Sequence, residues 1–295
     1  MTEIFGVPTQ ALFSQLLIGL INGAFYAMLS LGLAVIFGLL NIINFTHGAQ
    51  YMMGAFCAWF LLQYAGVGYG WSLVIAPLAV GLIGVLIERT MLARLYKLDH
   101  LYGLLLTFGL ALIIQGLFRN QFGSSGLPYQ MPEALTGGFN LGFMFLPKYR
   151  AWVIVASLIV CLATWYVIER TKLGAYLRAA TENAALVQAF GVSVPRMITL
   201  TYGFGVALAA LAGVMAAPIY QVSPLMGADL IIVVFAVVVI GGMGSILGSI
   251  ITGFGLGVIE GLTKVFYPEA SNTVIFIVMA IVLMIKPAGL FGRAR

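Results

Sequence analysis

Charge is scarce in this sequence. Its 295 residues hold 14 Lys and Arg and 9 Asp and Glu, 8% of the chain, against 62% hydrophobic residues and a mean hydropathy of +1.09. A soluble domain carries roughly a quarter charged residues. A chain this apolar cannot cover its own surface in water, so its solvent is lipid. Lipid leaves only helices or closed barrels as spanning structures, because every backbone polar group must be satisfied internally. Barrel strands alternate apolar and polar residues. Here the apolar runs are continuous, as at 151–168 and 229–240, and this excludes the barrel. Cysteine is nearly absent too: Cys57 and Cys161 both sit inside apolar segments and read as small packing residues, with no disulfide framework or redox motif.

Catalytic constellations are missing as well. The two histidines, His47 and His100, are far apart, and no HExxH, Cys/His metal spacing or G-x-S-x-G elbow occurs. No Gly-Lys pair exists, so there is no Walker A loop. An ATP-driven mechanism therefore needs a partner to bind the nucleotide. The sequence predicts no catalytic residue, no metal site and no cofactor of the chain's own. The net charge of +5 does not point to nucleic acid, since the basic residues lie at segment ends and report topology.

What is present is a series of apolar segments near the ~20 residues that cross a bilayer: 11–39, 49–65, 71–91, 103–119, 151–168, 197–217, 229–264 and 271–286. The expected fold is all-α, a polytopic helical bundle of about 8–9 spans forming one domain over 1–295. Segment 11–39 is long for one span. Segment 229–264 is too long, and its "IGGMGS" cluster divides it at Gly241, Gly242 and Gly244. No basic residue precedes Arg89, so the first span reads as its own insertion signal rather than a cleaved leader. Arg89, Arg94 and Lys97, then Arg170, Lys172, Arg178 and Arg196, then Lys286, Arg293 and Arg295 mark three cytoplasmic stretches. The loops 218–228 and 265–270 lack basic residues and fall outside. The N-terminus is then external and the C-terminus cytoplasmic. "FTHGAQYMMGAF" (45–56) and "GSILGSIITGFGLG" (244–257) each follow a broken apolar run, which suggests an inverted repeat.

Polar residues inside the spans are few. Asn22, Tyr26 and Ser30 share one face of the first helix, and Asn41, Asn44 and His47 ring its end. Such groups line a wet path or glue the bundle through interhelical hydrogen bonds of about 1 kcal/mol each; both readings stand, with a structural bond favoured for His47 alone. Gly205, Ala209, Gly213 and Ala217 form one small-residue stripe, and Gly253, Gly257 and Gly261 another, for close helix packing. Glu260 and Lys264 read as a structural i,i+4 pair near the outer end of their helix, and Asp229 as a helix-start acid. With both carboxylates peripheral, an ion-coupled secondary transporter is the weaker alternative. The cytoplasmic loop 169–196 is amphipathic, with Leu177, Ala180, Ala184, Leu186 and Phe190 on one apolar face and Gly191 as the stop. A helix of this kind lies on the membrane or docks into a partner's groove.

"RAATENAALVQAFGVSV" (178–194) resembles the cytoplasmic coupling loop of ABC importer permeases of the branched-chain amino acid family. "LINGAFYAMLSLGLAVIFGLLNIINFTHGAQYMMGA" (20–55), "IGGMGSILGSIITGFGLGVIEG" (240–261) and "KPAGLFG" (286–292) resemble the family's other signatures, in order, nearly throughout the chain except about 120–150. The resemblance implies the shorter of two related permease subunits in a bacterial cytoplasmic (inner) membrane. It also implies two cytoplasmic ATPase subunits that bind the ATP and an extracytoplasmic binding protein that delivers Leu, Ile or Val. Relatives carry other amino acids, amides or urea. By the motif match, coupling falls on Arg178, Glu182, Asn183, Ala185 and Gly191. The wider importer class has an Ala-Ala-x-x-x-Gly spacing here, and Gly191 falls later than that.

Overall fold

The computed structural model describes residues 3–4, 7–40, 43–96, 98–142 and 144–292. Asn41, Lys97, Arg293 and Arg295 lie outside the described residues. Among the described residues ten α-helices follow in order: α1 (Thr9–Leu40), α2 (Thr46–Ala65), α3 (Tyr69–Thr90), α4 (His100–Phe122), α5 (Lys148–Arg170), α6 (Lys172–Ala189), α7 (Val194–Ala216), α8 (Ala228–Gly241), α9 (Ile246–Phe266) and α10 (Val274–Ile285). Six of them, α1, α3, α4, α5, α7 and α9, are long and apolar enough to cross a membrane, and α8 and α10 are shorter apolar helices. Strands are confined to two short antiparallel pairs among the described residues, Glu3–Ile4 with Val7–Pro8 and Gly138–Asn140 with Phe145–Pro147. The protein is a polytopic helical membrane protein.

Segment 11–39 is one helix. At 32 residues α1 is about 48 Å long, more than the ~30 Å hydrocarbon core requires. It runs through the centre of the bundle, nearly all buried from Ala24 to Ile36. Small residues allow this. A Cβ on Gly257 would stand 2.4 Å from the carbonyl oxygen of Gly19 and from Cα of Gly23, and one on Gly253 would stand 2.6 Å from Cα of Ala27. The α1 and α9 backbones therefore touch along their length. Gly205 approaches Gly32 of α1, and Gly213 approaches the Tyr51 backbone of α2, so the α7 stripe packs two helices. By contrast α4 turns Leu101, Leu105, Leu112 and Leu117 outward, as a surface facing lipid or another apolar chain does.

Segment 229–264 divides where the glycines sit. Helix α8 ends at Gly241, Gly242 and Gly244 take φ of +100° and +91°, and the Ser245 side chain caps α9 by accepting from the Gly248 N–H at 3.0 Å. The C-terminal "KPAGLFG" segment folds onto this break: Leu290 N–H donates to Ile240 O (2.8 Å) and Phe291 N–H to Gly241 O (3.1 Å). Carbonyls freed at the end of α8 are thereby satisfied, as an apolar medium demands.

Helix α8 has only 14 residues, about 21 Å, and so starts inside the bundle. Gly227, just before it, meets Gly48 in the first turn of α2; a Cβ on Gly48 would stand 2.4 Å from Gly227 O. The starts of α2 and α8 thus adjoin within the protein. The Phe45 N–H and the Thr46 hydroxyl at the α2 start bond to Thr107 of α4, at 3.2 and 2.8 Å.

Candidate functional site

Two groups of residues stand out, one midway along α1 and one at the end of the bundle that carries α6. In the first, Asn22 and Tyr26 occupy the middle of α1, with Tyr26 8% exposed. The Tyr26 hydroxyl donates to Glu260 Oε2 at 2.7 Å, and Asn22 Nδ2 reaches Glu260 Oε1 at 3.5 Å. Lys264 pairs with the same carboxylate, and the Tyr220 hydroxyl donates to Asn22 Oδ1 at 3.1 Å. This corrects the placement of Glu260 at the periphery. Its i,i+4 pair with Lys264 exists, but Glu260 is 5% exposed and turned toward the centre of α1, because the Gly253 and Gly257 stripe brings α9 against that helix. Ser30 is separate from this network and bonds to Ala27 O at 3.1 Å within its own helix.

Beside this network lies a cavity of about 310 Å³ lined by Asn22, Phe25, Tyr26, Tyr51, Tyr220, Met226, Asp229 and Leu230. It sits where the segment entering α8 passes between α1 and α2. Tyr51 and Tyr220 escaped the reading of the sequence, and Asp229 stood there only as a helix-start acid, since no spacing relates residues on three separate elements.

Asn44 and His47 form a neighbouring group at the start of α2. Asn44 Nδ2 donates to Gln50 Oε1 at 3.1 Å. His47 is fully buried, with Nε2 3.0 Å from Leu29 O. A carbonyl only accepts, so that nitrogen carries the proton. The His47 bond ties α2 to α1, and the Asn44 bond closes the start of α2 on itself. Neither residue lines the 310 Å³ cavity, so the structure separates them from Asn22 and Tyr26.

At the other end, α6 runs from Lys172 to Ala189 and is broken at Asn183, whose φ and ψ are −149° and 90°. The Asn183 side chain caps the second part by accepting from Leu186 N–H at 2.9 Å. This break changes the expected single apolar face. Leu177 is buried and Ala180 half-buried before the break, whereas Ala184, Leu186 and Phe190, beyond it, are exposed, the last two at 55% and 80%. Arg178 anchors the first part: Nη1 donates to Ile168 O at 2.9 Å and lies 3.5 Å from Glu169 Oε2. Glu182 and Ala185 are exposed. Gly191 follows the helix at φ +83°.

Between α6 and the bundle lies a crevice of about 340 Å³, lined in part by Leu177, Ala184, Tyr96, His100 and Met197. Tyr96 of its wall belongs to a buried network that the sequence did not announce. Glu88 of α3, 2% exposed, accepts from the Tyr96 hydroxyl at 2.6 Å and from the Thr199 hydroxyl of α7 at 2.7 Å. Burial, then the bond to Glu88, pushes the Tyr96 phenol well above its ordinary range, so it remains a neutral donor.

Comparison with known proteins adds a second line of observation. Residues 15–283 match the family described as branched-chain amino acid transport system / permease component. The high-affinity branched-chain amino acid transport system permease protein LivH of Escherichia coli (strain K12) is 28% identical over 95% of both chains. The corresponding protein BraD of Pseudomonas aeruginosa is 29% identical, also over 95% of both. Permease protein LivM of the same Escherichia coli strain is 30% identical over 92% of this chain and 68% of its own length. No solved structure matches.

Proposed function

This chain belongs to the branched-chain amino acid transport system permease family, and from that premise we propose that it is a permease subunit carrying Leu, Ile or Val across the bacterial inner membrane in an ATP-driven importer. The observation that carries this reading is the end-to-end match: 95% of this chain aligns with 95% of relatives named for that transport. Likeness to both LivH and LivM fits a pair of related permeases, this chain being the shorter. ATP is bound by two partner ATPases on the cytoplasmic side, and a binding protein delivers cargo from outside. The chain itself catalyses no reaction. Its single domain places the N-terminus outside and the C-terminus in the cytoplasm, in keeping with the basic loops.

Helix α6 is the coupling element in this proposal. Arg178 and Leu177 hold its first part to the bundle, and Asn183 turns its second part away, which presents Leu186 and Phe190 with Glu182, Ala185 and Gly191 to the ATPase. An exposed Phe and Leu on a helix outside the spans suit an apolar groove of a partner. Closure of the ATPases moves this segment, and the crevice behind α6 leaves it room to shift against α7 and the Tyr96 loop. Asn22, Tyr26, Asn41, Asn44 and His47 are the path residues, and Gly241, Gly242, Gly244, Gly253 and Gly257 set the break and close packing that shape it.

The test is initial-rate uptake of labelled leucine in cells with and without the gene. The expected result is a large loss on deletion. In the intact cells uptake should resist collapse of ion gradients while ATP is held constant. Uptake that follows the ion gradient would instead favour a secondary transporter using Glu260.

A further inference from the structure

The 310 Å³ cavity beside α1 differs from its surroundings in holding unspent polar groups. Asp229 makes no ion pair or hydrogen bond among the described residues. It is the second residue of α8, exposed to the cavity in this chain by itself, and lies twelve residues, about 18 Å, before Gly241 at the other end of that apolar helix. An unpaired carboxylate lining a cavity among apolar helices calls for a cation. Tyr51, on the facing wall, is 1% exposed, and its hydroxyl forms no hydrogen bond among the described residues. Tyr26 and Asn22 are already engaged with Glu260 and Tyr220. Phe25, Met226 and Leu230 supply the apolar remainder of the wall. The volume lies at the small end of the ~300–1000 Å³ typical of small-molecule sites.

One cation acceptor, one free hydroxyl donor and an apolar wall match the three parts of an aliphatic α-amino acid. We propose that this cavity is a transit site for the cargo, with the α-ammonium on Asp229, the carboxylate accepting from Tyr51, and the side chain against Phe25, Met226 and Leu230. The site rests on the importer reading for the identity of its ligand but makes its own claim: the permease holds the amino acid itself, midway across, rather than passing it through an indifferent channel. Transporter sites are typically built at the ends of short, interrupted helices, as this one is at the start of α8.

The experiment is equilibrium binding of labelled L-leucine to the complete complex in nanodiscs, without ATP or binding protein. The expected result is saturable binding that Asp229→Asn and Tyr51→Phe each weaken at least tenfold. Valine should compete, and 4-methylpentanoate, which lacks the ammonium, should not. Leu230→Phe should lower affinity for leucine more than for valine. Unchanged isotherms in both variants, effective competition by 4-methylpentanoate, or no saturable binding of any amino acid would overturn the site. If Asp229→Asn sheds the second permease on purification, Tyr51→Phe decides: retained binding makes Asp229 an intersubunit contact and removes the site, and lost binding keeps it. Cellular leucine uptake separates the two claims. Uptake without binding leaves the importer and removes the site. Absent leucine uptake, with another amino acid bound in an Asp229-dependent way, removes the branched-chain reading and leaves the site.

Discussion

Glu260 is a carboxylate held among apolar helices by three donors of different strength. Tyr26 and Asn22 contribute hydrogen bonds, and Lys264 supplies the compensating charge. Glu260 is deeply buried, whereas the Lys264 side chain keeps about a third of its surface exposed, 32% against 6%. Removing either partner therefore has unequal consequences. Lys264→Met strands a buried negative charge and should cost about 2 kcal/mol, less than the ~3–5 kcal/mol of a fully buried pair because Lys264 is partly open. Glu260→Gln leaves an amide that still accepts from Tyr26 and a lysine that can turn toward the surface, so it should cost less. The double variant should be more stable than Lys264→Met alone. Thermal unfolding of the four proteins in detergent checks the order, and a double variant no better than Lys264→Met would show that the charge is not what matters. The sequence shows the i,i+4 spacing but not the burial, because burial depends on α1 passing across α9.

At the scale of elements, the glycine stripes make opposite predictions for neighbouring positions. Gly257 has no room for a side chain, with backbone of Gly19 and Gly23 at 2.4 Å from a Cβ, whereas Gly255 of the same helix faces open space. Gly257→Leu should force α1 and α9 apart and abolish a monodisperse peak in size exclusion. Gly255→Ala should be tolerated or raise stability by up to about 1 kcal/mol through helix propensity. Gly191 makes a third case. Nothing stands within 4 Å of its Cβ position, yet its φ is +83°. A β-branched residue there is strained by its own backbone rather than by neighbours. Gly191→Val should redirect the chain after α6, leave the spans and expression intact, and reduce leucine uptake at least tenfold; normal uptake would remove the coupling role from this segment. The amphipathic character of 169–196 was legible in the sequence, whereas the break at Asn183 was not. Asn is compatible with a helix interior and with a cap, and the choice is made where the second part of α6 leaves the bundle surface.

For the molecule as a whole, topology is the claim that places every other residue on one side or the other. Cys57 and Cys161 sit in α2 and α5, half-buried and buried, so replacing both with Ala should give a functional cysteine-free background. Cysteines introduced at Ser124, beyond α4, and at Thr181, on α6, then report opposite faces. An impermeant maleimide should label Ser124→Cys in intact cells and Thr181→Cys only after permeabilisation. The reverse pattern would invert the molecule and move α6 away from any cytoplasmic ATPase.

The membrane, the helical class, the division of 229–264 and the family were all present in the sequence by itself. Each rests on local quantities: apolar run length, the spacing of basic residues, glycine where φ must be positive, and contiguous motifs. The α1 segment was ambiguous by length, and only its passage through the bundle centre made it one helix. The cavity of Asn22, Tyr51, Tyr220 and Asp229, the burial of Glu260 and the Glu88–Tyr96–Thr199 network were decided by the tertiary structure alone. Their members are drawn from separate elements, and what joins them is the close approach of glycine-lined helices and a short α8 that begins inside the protein. No periodicity along one chain encodes which faces will meet across that distance.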